Sequence, residues 1–220
     1  MKKKVFFLLN NLSEFSFADY IDKYLSNYDV VVETSLPNKT EDYDLIVFWS
    51  YRKIVPNIGN KNNIILFHSS DLPDGKGWAP IYNTIIKEHE YFTISGIKAA
   101  EEVDSGDIIV KARFRMKPNY TAEYIRRWDE EISVMLVEKI LERFDRKQIV
   151  GIPQAGTGSF HERRKPEHNE INTENFVNHL RACEKKHPAF FYYKGQKFFV
   201  TIEPENIPEF PDDLVISFVK

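Results

Sequence analysis

The chain interleaves short unbroken apolar runs with stretches in which apolar residues recur at helical spacing. Val5-Phe6-Phe7-Leu8-Leu9, Val30–Val32, Leu45-Ile46-Val47-Phe48-Trp49 and Ile64–Phe67 are runs of the first kind. Strands buried on both faces read this way, because neither set of alternating side chains meets water. Phe92–Ile97 and Ile108–Phe114 read as two more strands. Between the runs, Phe17, Tyr20, Ile21 and Tyr24 share one helical face. Ile81, Ile85 and Ile86 mark a second helix over Trp78–Tyr91, with Pro80 tolerated in its first turn. The longest helical pattern, Ala122–Phe144, carries Ile125, Trp128, Ile132, Met135, Leu136, Ile140 and Phe144 on one stripe. The alternation predicts an α/β fold with a doubly wound, mostly parallel sheet.

After Gly151 the pattern changes. Residues 152–172 are rich in Gly, Pro, Arg and Glu and have no period; a loop of that length in a compact domain is often functional. A short helix over Asn175–Cys183 follows. Ala189–Tyr193 and Lys197–Ile202, joined by Lys194-Gly195-Gln196, read as a β-hairpin, and Leu214–Val219 reads as a last strand. The expected organisation is a Rossmann-like core over residues 1–150 and a small C-terminal α+β appendage over 151–220.

Composition narrows the classes. At 220 residues there is room for one large α/β domain with a small appendage, and a net charge of −3 gives no general basic surface for nucleic acid. Lys2-Lys3-Lys4 begins like a leader, but the following apolar run is too short for a signal peptide or a membrane span. The single cysteine, Cys183, cannot form an internal disulfide, which fits a reducing cytoplasm. It lies in a helical pattern and reads as core rather than nucleophile.

Two loops concentrate the chemistry. Phe67-His68-Ser69-Ser70-Asp71-Leu72-Pro73-Asp74-Gly75-Lys76-Gly77-Trp78-Ala79-Pro80 follows a strand and leads into a helix. Glu102-Val103-Asp104-Ser105-Gly106-Asp107 lies between two strands, with Asp104 36 residues after His68. In an open α/β sheet both loops can reach the crevice at the carboxyl ends of the strands, where ligands bind. The turn after the first strand, Asn10-Asn11-Leu12-Ser13, is not the Gly-rich loop a dinucleotide requires. Outside these loops His89, His161, His168, His179 and His187 make no convincing metal set, so no metal is expected.

The His68 and Asp104 segments resemble the core of the N10-formyltetrahydrofolate-dependent formyltransferases, whose usual form is close to Asn-x-His-x-Ser-Leu-Leu-Pro-x-x-x-Gly followed by Asp-x-Gly-Asp. The resemblance extends over most of the chain. Ser50-Tyr51-Arg52-Lys53-Ile54-Val55-Pro56 looks like the family's pterin loop, and Gly75-x-Gly77-Trp78-Ala79-Pro80 like its substrate-side loop. Gly151-Ile152-Pro153-Gln154, Arg163-Arg164-Lys165-Pro166-Glu167 and Pro188-Ala189-Phe190-Phe191 look like tail segments of the sugar N-formyltransferases, which act on nucleotide-linked amino sugars.

The resemblance implies formyl transfer from N10-formyltetrahydrofolate to the amine of a nucleotide-linked amino sugar, for bacterial surface polysaccharide. His68 and Asp104 would be catalytic. An imidazole suits proton transfer at neutral pH, and a carboxylate beside it orients the ring. Ser50, Tyr51, Ile54, Ser70, Asp71, Leu72, Pro73, Val103 and Asp107 would border the folate. Lys76, Gly77, Trp78, Tyr82, Arg163, Arg164 and Lys165 would border the acceptor, with the arginines suited to a diphosphate. By its side chain, Asp71 reads as the cap of the turn before Pro73. The aromatic hairpin suggests a homodimer, and neither nucleic acid nor membrane is expected as a partner. A methionyl-tRNA formyltransferase would share this core but would need a further nucleic-acid-binding domain for which 220 residues leave no room. One departure stands out: Leu66 occupies the place of the family's Asn and cannot donate a hydrogen bond. Either another residue such as Asn83 supplies the donor, or the chemistry is impaired. The alternatives are therefore a transferase for another small amine, a formyl-folate hydrolase, or a non-catalytic folate- or sugar-nucleotide-binding module.

Overall fold

A computed structural model describes residues 2–53, 55–56, 58, 63–144, 149–171 and 173–219. Its strands are β1 (Lys4–Leu8), β2 (Asp29–Glu33), β3 (Leu45–Phe48), β4 (Ile64–His68), β5 (Lys76–Gly77), β6 (Tyr91–Lys98), β7 (Ile108–Arg115), β8 (Phe160–His161), β9 (Ala189–Tyr193), β10 (Gln196–Val200) and β11 (Val215–Phe218). Its α-helices are α1 (Ala18–Tyr24), α2 (Pro80–Ile86), α3 (Ala122–Arg143) and α4 (Phe176–Ala182). Seven strands form the central sheet in the order β11-β7-β6-β4-β3-β1-β2. The pairs β1–β2, β1–β3 and β3–β4 are parallel, whereas β4–β6, β6–β7 and β7–β11 are antiparallel. Thus β1, β2, β3, β4 and β7 run one way and only β6 and β11 run back, the mostly parallel α/β sheet expected from the pattern.

The unbroken apolar runs are explained by the period of two along a strand. In β1 and its neighbour, Val5, Phe7, Leu9, Leu45 and Val47 point into one cluster while Phe6, Leu8, Ile46 and Phe48 point into another. The first cluster lies under the helices. It takes Tyr20 and Ile21 from α1, Ile81 and Ile85 from α2, and Ile125, Trp128, Ile132 and Ile140 from α3. Trp128 is 1 % exposed and meets Tyr120 and Phe114 edge-on at 4.7 and 5.9 Å between ring centroids. The second cluster is closed by connecting segments through Leu36, Tyr43, Tyr51, Val55 and Ile58.

Three boundaries differ from the sequence reading. α2 ends at Ile86, not Tyr91, because Glu88 adopts a left-handed φ of 53° and the chain turns directly into β6. The hairpin turn has two residues: Lys194 and Gly195 take φ 48° and 78°, the left-handed pair a tight hairpin needs, and Gln196 already pairs with Tyr193. The last strand is not part of the appendage. β11 pairs with β7 at the edge of the central sheet, where Leu214, Ile216 and Phe218 pack on the main core. In the hairpin expected to meet a second copy, Tyr192 and Phe199 are exposed on one face and Tyr193 on the other. Among the described residues no helix is long and apolar enough to cross a membrane.

Candidate active site

β4 is where the sheet changes from parallel to antiparallel, and His68 is its last residue, paired with Ser95 of β6. The connection from β6 to β7 then brings Asp104 back over the same strand end. The two residues that the sequence paired at a distance meet here: His68 Nδ1 lies 3.4 Å from Asp104 Oδ2. On the other side of the ring, Nε2 is 2.8 Å from the carbonyl oxygen of Gly75. A carbonyl only accepts, so Nε2 carries a proton; the imidazolium form donates at both nitrogens. Asp104 Oδ2 also accepts from the backbone N–H of Gly77 at 2.9 Å. The His68 ring is buried, and a single carboxylate oxygen joins it to the 75–78 strap.

Backbone geometry fixes Asp104. Its φ is 51°, a left-handed value that Asp tolerates better than most residues. Gln154 holds the loop by donating from Nε2 to the carbonyls of Asp104 and Gly106, at 2.8 and 2.9 Å. Gly106 is required by close approach: a Cβ there would lie 1.7 Å from the carbonyl oxygen of Lys98.

The expected folate-side segments around 50–52 and 70–73 follow β3 and β4 at this end of the sheet. Asn10 clamps the 50–52 loop, donating to the Ser50 carbonyl at 2.8 Å and accepting from Arg52 N–H at 2.9 Å. Ser50 has φ 48°, and Tyr51 packs 5.3 Å from Phe48. Ile54 lies outside the described residues. Leu72 is fully buried with Ile97 and Ile108, and the Leu72–Pro73 peptide is cis. Ser95 Oγ donates to the Ser70 carbonyl at 2.7 Å. Asp71 corrects the sequence reading. The turn closes by backbone, Asp74 N–H to Asp71 carbonyl, and the Asp71 side chain instead pairs with Lys111, which also donates to the Leu72 carbonyl at 2.7 Å. Val103 is exposed, and the Asp107 carbonyl accepts from Lys98 N–H at 2.9 Å.

On the expected acceptor side, Lys76 and Gly77 form β5, which pairs with β8 and draws the long loop onto the strap. Gly77 has φ 91°, and a Cβ would meet the His161 carbonyl at 2.5 Å. Arg163 lies over the half-exposed Trp78, 4.9 Å from the ring centre. Arg164 is more committed. It stacks on Tyr82 at 3.3 Å, and its Nη2 donates to Asn169 Oδ1 and the His168 carbonyl at 2.7 and 3.1 Å. The Tyr82 hydroxyl is 3.3 Å from His179 Nδ1. Arg164 and Tyr82 therefore tie the loop to α4, whereas Arg163, over Trp78, stays exposed. Lys165 stands 4.0 Å from Glu167 on the surface. Asn83, considered as a replacement donor for Leu66, donates its amide to the carbonyls of Trp78 and Ala79 at 3.2 and 2.9 Å. Leu66 packs with the clusters holding Tyr51 and Leu72, an apolar wall between the two expected folate loops.

Sequence reasoning missed Asp129. It lies on α3, a segment explained entirely by its apolar stripe, and accepts from Ser69 Oγ at 2.8 Å. Its other oxygen is buried without a hydrogen-bond partner among the described residues. Burial pushes the carboxyl up from 3.8 to about 6, against the opposing pull of Ser69 and Arg126. Between those two values the folded state binds more protons than the unfolded chain, so this group's contribution to stability falls as pH rises through the window. Asp129→Asn, which keeps an acceptor for Ser69, should stabilise the protein at pH 7 by about 3 kcal/mol and have little effect below pH ~4. Urea unfolding at both pH values checks this; equal midpoints for variant and wild type at pH 7 would contradict the assignment.

The formyl transferase family profile matches residues 26–140, more than half of the chain. The methionyl-tRNA formyltransferase of Pelagibacter ubique is 26% identical over 172 residues, covering 73% of this chain and 54% of that protein. This chain thus spans about half the length of that relative. Among solved structures, a sugar N-formyltransferase from Shewanella superposes with a TM-score of 0.66 at 17% identity, over 94% of this chain and 99% of that one. HypX from Aquifex aeolicus, crystallised with tetrahydrofolic acid, superposes with a TM-score of 0.67 at 18% identity, over 96% of this chain and 40% of that one. With the matched segment carrying both His68 and Asp104, the chain belongs to the formyl transferase family.

Proposed function

We propose that this protein transfers a formyl group from N10-formyltetrahydrofolate to the amine of a nucleotide-linked amino sugar. The observation that carries the reading is the buried His68–Asp104 contact at 3.4 Å, on a carboxylate that also accepts from Gly77 N–H. The folate supplies an activated formyl group. The residues here suit it: the clamped 50–52 loop and the buried Leu72 turn flank Leu66 and leave an apolar wall for a flat heterocycle.

The chain's own part is proton handling. The attacking amine must lose a proton as its nitrogen bonds to the formyl carbon, and the departing folate nitrogen must gain one. With its proton on Nδ1 toward Asp104 and Nε2 released from the Gly75 carbonyl, His68 can accept the first at Nε2 and return it, while Asp104 holds the ring and balances the imidazolium. Protonated His68 also places a positive donor where oxygen gains negative charge. Leu66 cannot assist there, so His68 carries more of this load than a histidine with an Asn beside it.

The amino-sugar branch is supported by the Shewanella likeness along both chains and by Arg163 over Trp78, next to the strap that bonds Asp104. A second reading is favoured by the curated relatives, which are methionyl-tRNA formyltransferases. A single-turnover assay with formyl-folate and a panel of amino-sugar nucleotides, with methionyl-tRNA as a separate arm, decides between them. The expected result is transfer to a nucleotide sugar, with Arg163→Ala raising its KM by about tenfold or more and leaving folate binding unchanged. Transfer only to methionyl-tRNA, or a KM unmoved in Arg163→Ala, would overturn the acceptor assignment.

A further inference from the structure

Beside the Gly75 turn lies a cavity of about 300 Å³ bordered by Ser70, Lys87, His89, Ser159 and His161 among others. Two of its polar side chains are left incomplete among the described residues. Lys87 Nζ is 2.6 Å from His161 Nε2. A lysine ammonium has no acceptor, so Nε2 must accept and the proton of the neutral ring must sit on Nδ1. Among the described residues that Nδ1 is buried with no hydrogen-bond partner, and so is the hydroxyl of Ser70. The two converge: a Cβ placed on Gly75 would be 3.3 Å from Ser70 Oγ and 3.5 Å from His161 Cε1.

The charge around this point is one-sided. The charges that act on the His161 ring are Lys87, His89 and His68, all basic, and with burial they hold its basicity down. The cavity wall also holds two carboxylates. Asp71 is paired with Lys111, and Asp74 is not among the charges acting on His161. Among the described residues two buried groups able to donate thus stand without an acceptor beside a lysine, and buried polar groups in proteins are as a rule paired.

We propose that this cavity is a subsite for one small oxyanion, a phosphoryl or carboxylate group of a bound molecule, received by Lys87, His161 Nδ1–H and the Ser70 hydroxyl. The ligand is recognised by charge-assisted hydrogen bonds from three directions. Because the Gly75 carbonyl on the cavity's rim also bonds His68, the site lies one residue from the proposed catalytic ring. The inference does not depend on formyl transfer and is testable without it.

The test is titration of the full chain with inorganic phosphate, followed by the histidine side-chain resonances in NMR spectra. The expected result is a saturable shift of the His161 signals, with Lys87→Met weakening phosphate by about tenfold or more and Lys87→Arg restoring most of it. Circular dichroism of Lys87→Met shows whether the fold is intact; if it is not, Ser70→Ala serves as the second variant, with a smaller loss expected. His161 signals unmoved by phosphate at tens of millimolar, or a folded variant that binds as tightly as the wild type, would overturn the subsite. A parallel titration with reduced folates bearing and lacking the glutamyl group separates the sources. If Lys87→Met weakens only the glutamyl form, the anion is the cofactor's carboxylate; if it weakens phosphate and neither folate, the anion belongs to the acceptor.

Discussion

His68→Ala should lower turnover by at least about a hundredfold, the scale of a positioned general acid–base group, while the fold stays intact. The substitution removes a ring held between Asp104 Oδ2 and the Gly75 carbonyl, and no neighbouring group replaces it. His161, an imidazole close to this site, is engaged with Lys87. Asn83 is spent on Trp78 and Ala79, so it cannot take over as donor. Asp104→Asn should cost a similar factor by a different route. The amide can still accept from Gly77 N–H through its oxygen, but it carries no charge to balance an imidazolium, so the loss should fall on kcat rather than on KM. Rate and unfolding midpoint measured on each variant separate chemistry from folding. Turnover within a few-fold of wild type in either one would remove the pair from the reaction.

Gly106→Ala should be nearly as damaging although its residue touches no reactant. The added Cβ would fall 1.7 Å from the Lys98 carbonyl oxygen and 2.8 Å from its carbon, both backbone atoms of β6 that cannot swing aside. The loop must move, and Gln154, which bonds both Asp104 and Gly106, transmits the movement to Asp104. A displacement near 1 Å can cost about a hundredfold in rate, and strain of this kind is worth on the order of 1–3 kcal/mol in stability. Both should appear together, as a lower kcat and an earlier urea midpoint. A variant that unfolds earlier yet turns over normally would mean that Asp104 does not need the position the loop gives it.

The parts of this protein that were legible in sequence are those set by local period. Residues 5–9, 45–49 and 64–67 are apolar without interruption because β1, β3 and β4 are covered on both faces, and α3 shows its stripe because only one side of it is buried. His68 and Asp104 were legible as a pair from their loop motifs, but not the route: β6 runs antiparallel to β4, so the Asp104 loop leaves the sheet beside Ile64–Ile65 and folds back along β4 to reach His68. What stayed hidden depends on contacts between distant segments. Ser69 and Asp129 are 60 positions apart, and nothing in the stripe of α3 marks the one carboxylate that turns inward. Arg163 and Arg164 are adjacent and chemically alike, yet one faces Trp78 and the other is drawn into the Tyr82–Asn169 contact by the folding of α4 against α2. The antiparallel return of β11 was assigned to the appendage because its own sequence says strand but not which sheet.

The most direct test of the central claim follows the formyl group itself. Labelled N10-formyltetrahydrofolate is mixed with excess protein and the amine acceptor, and the label is traced in a single turnover. The account predicts that the label leaves the folate and appears as an amide on the acceptor, and that His68→Ala and Asp104→Asn retain bound formyl-folate without transferring it. Label recovered only as free formate, or transfer undiminished in both variants, would contradict it.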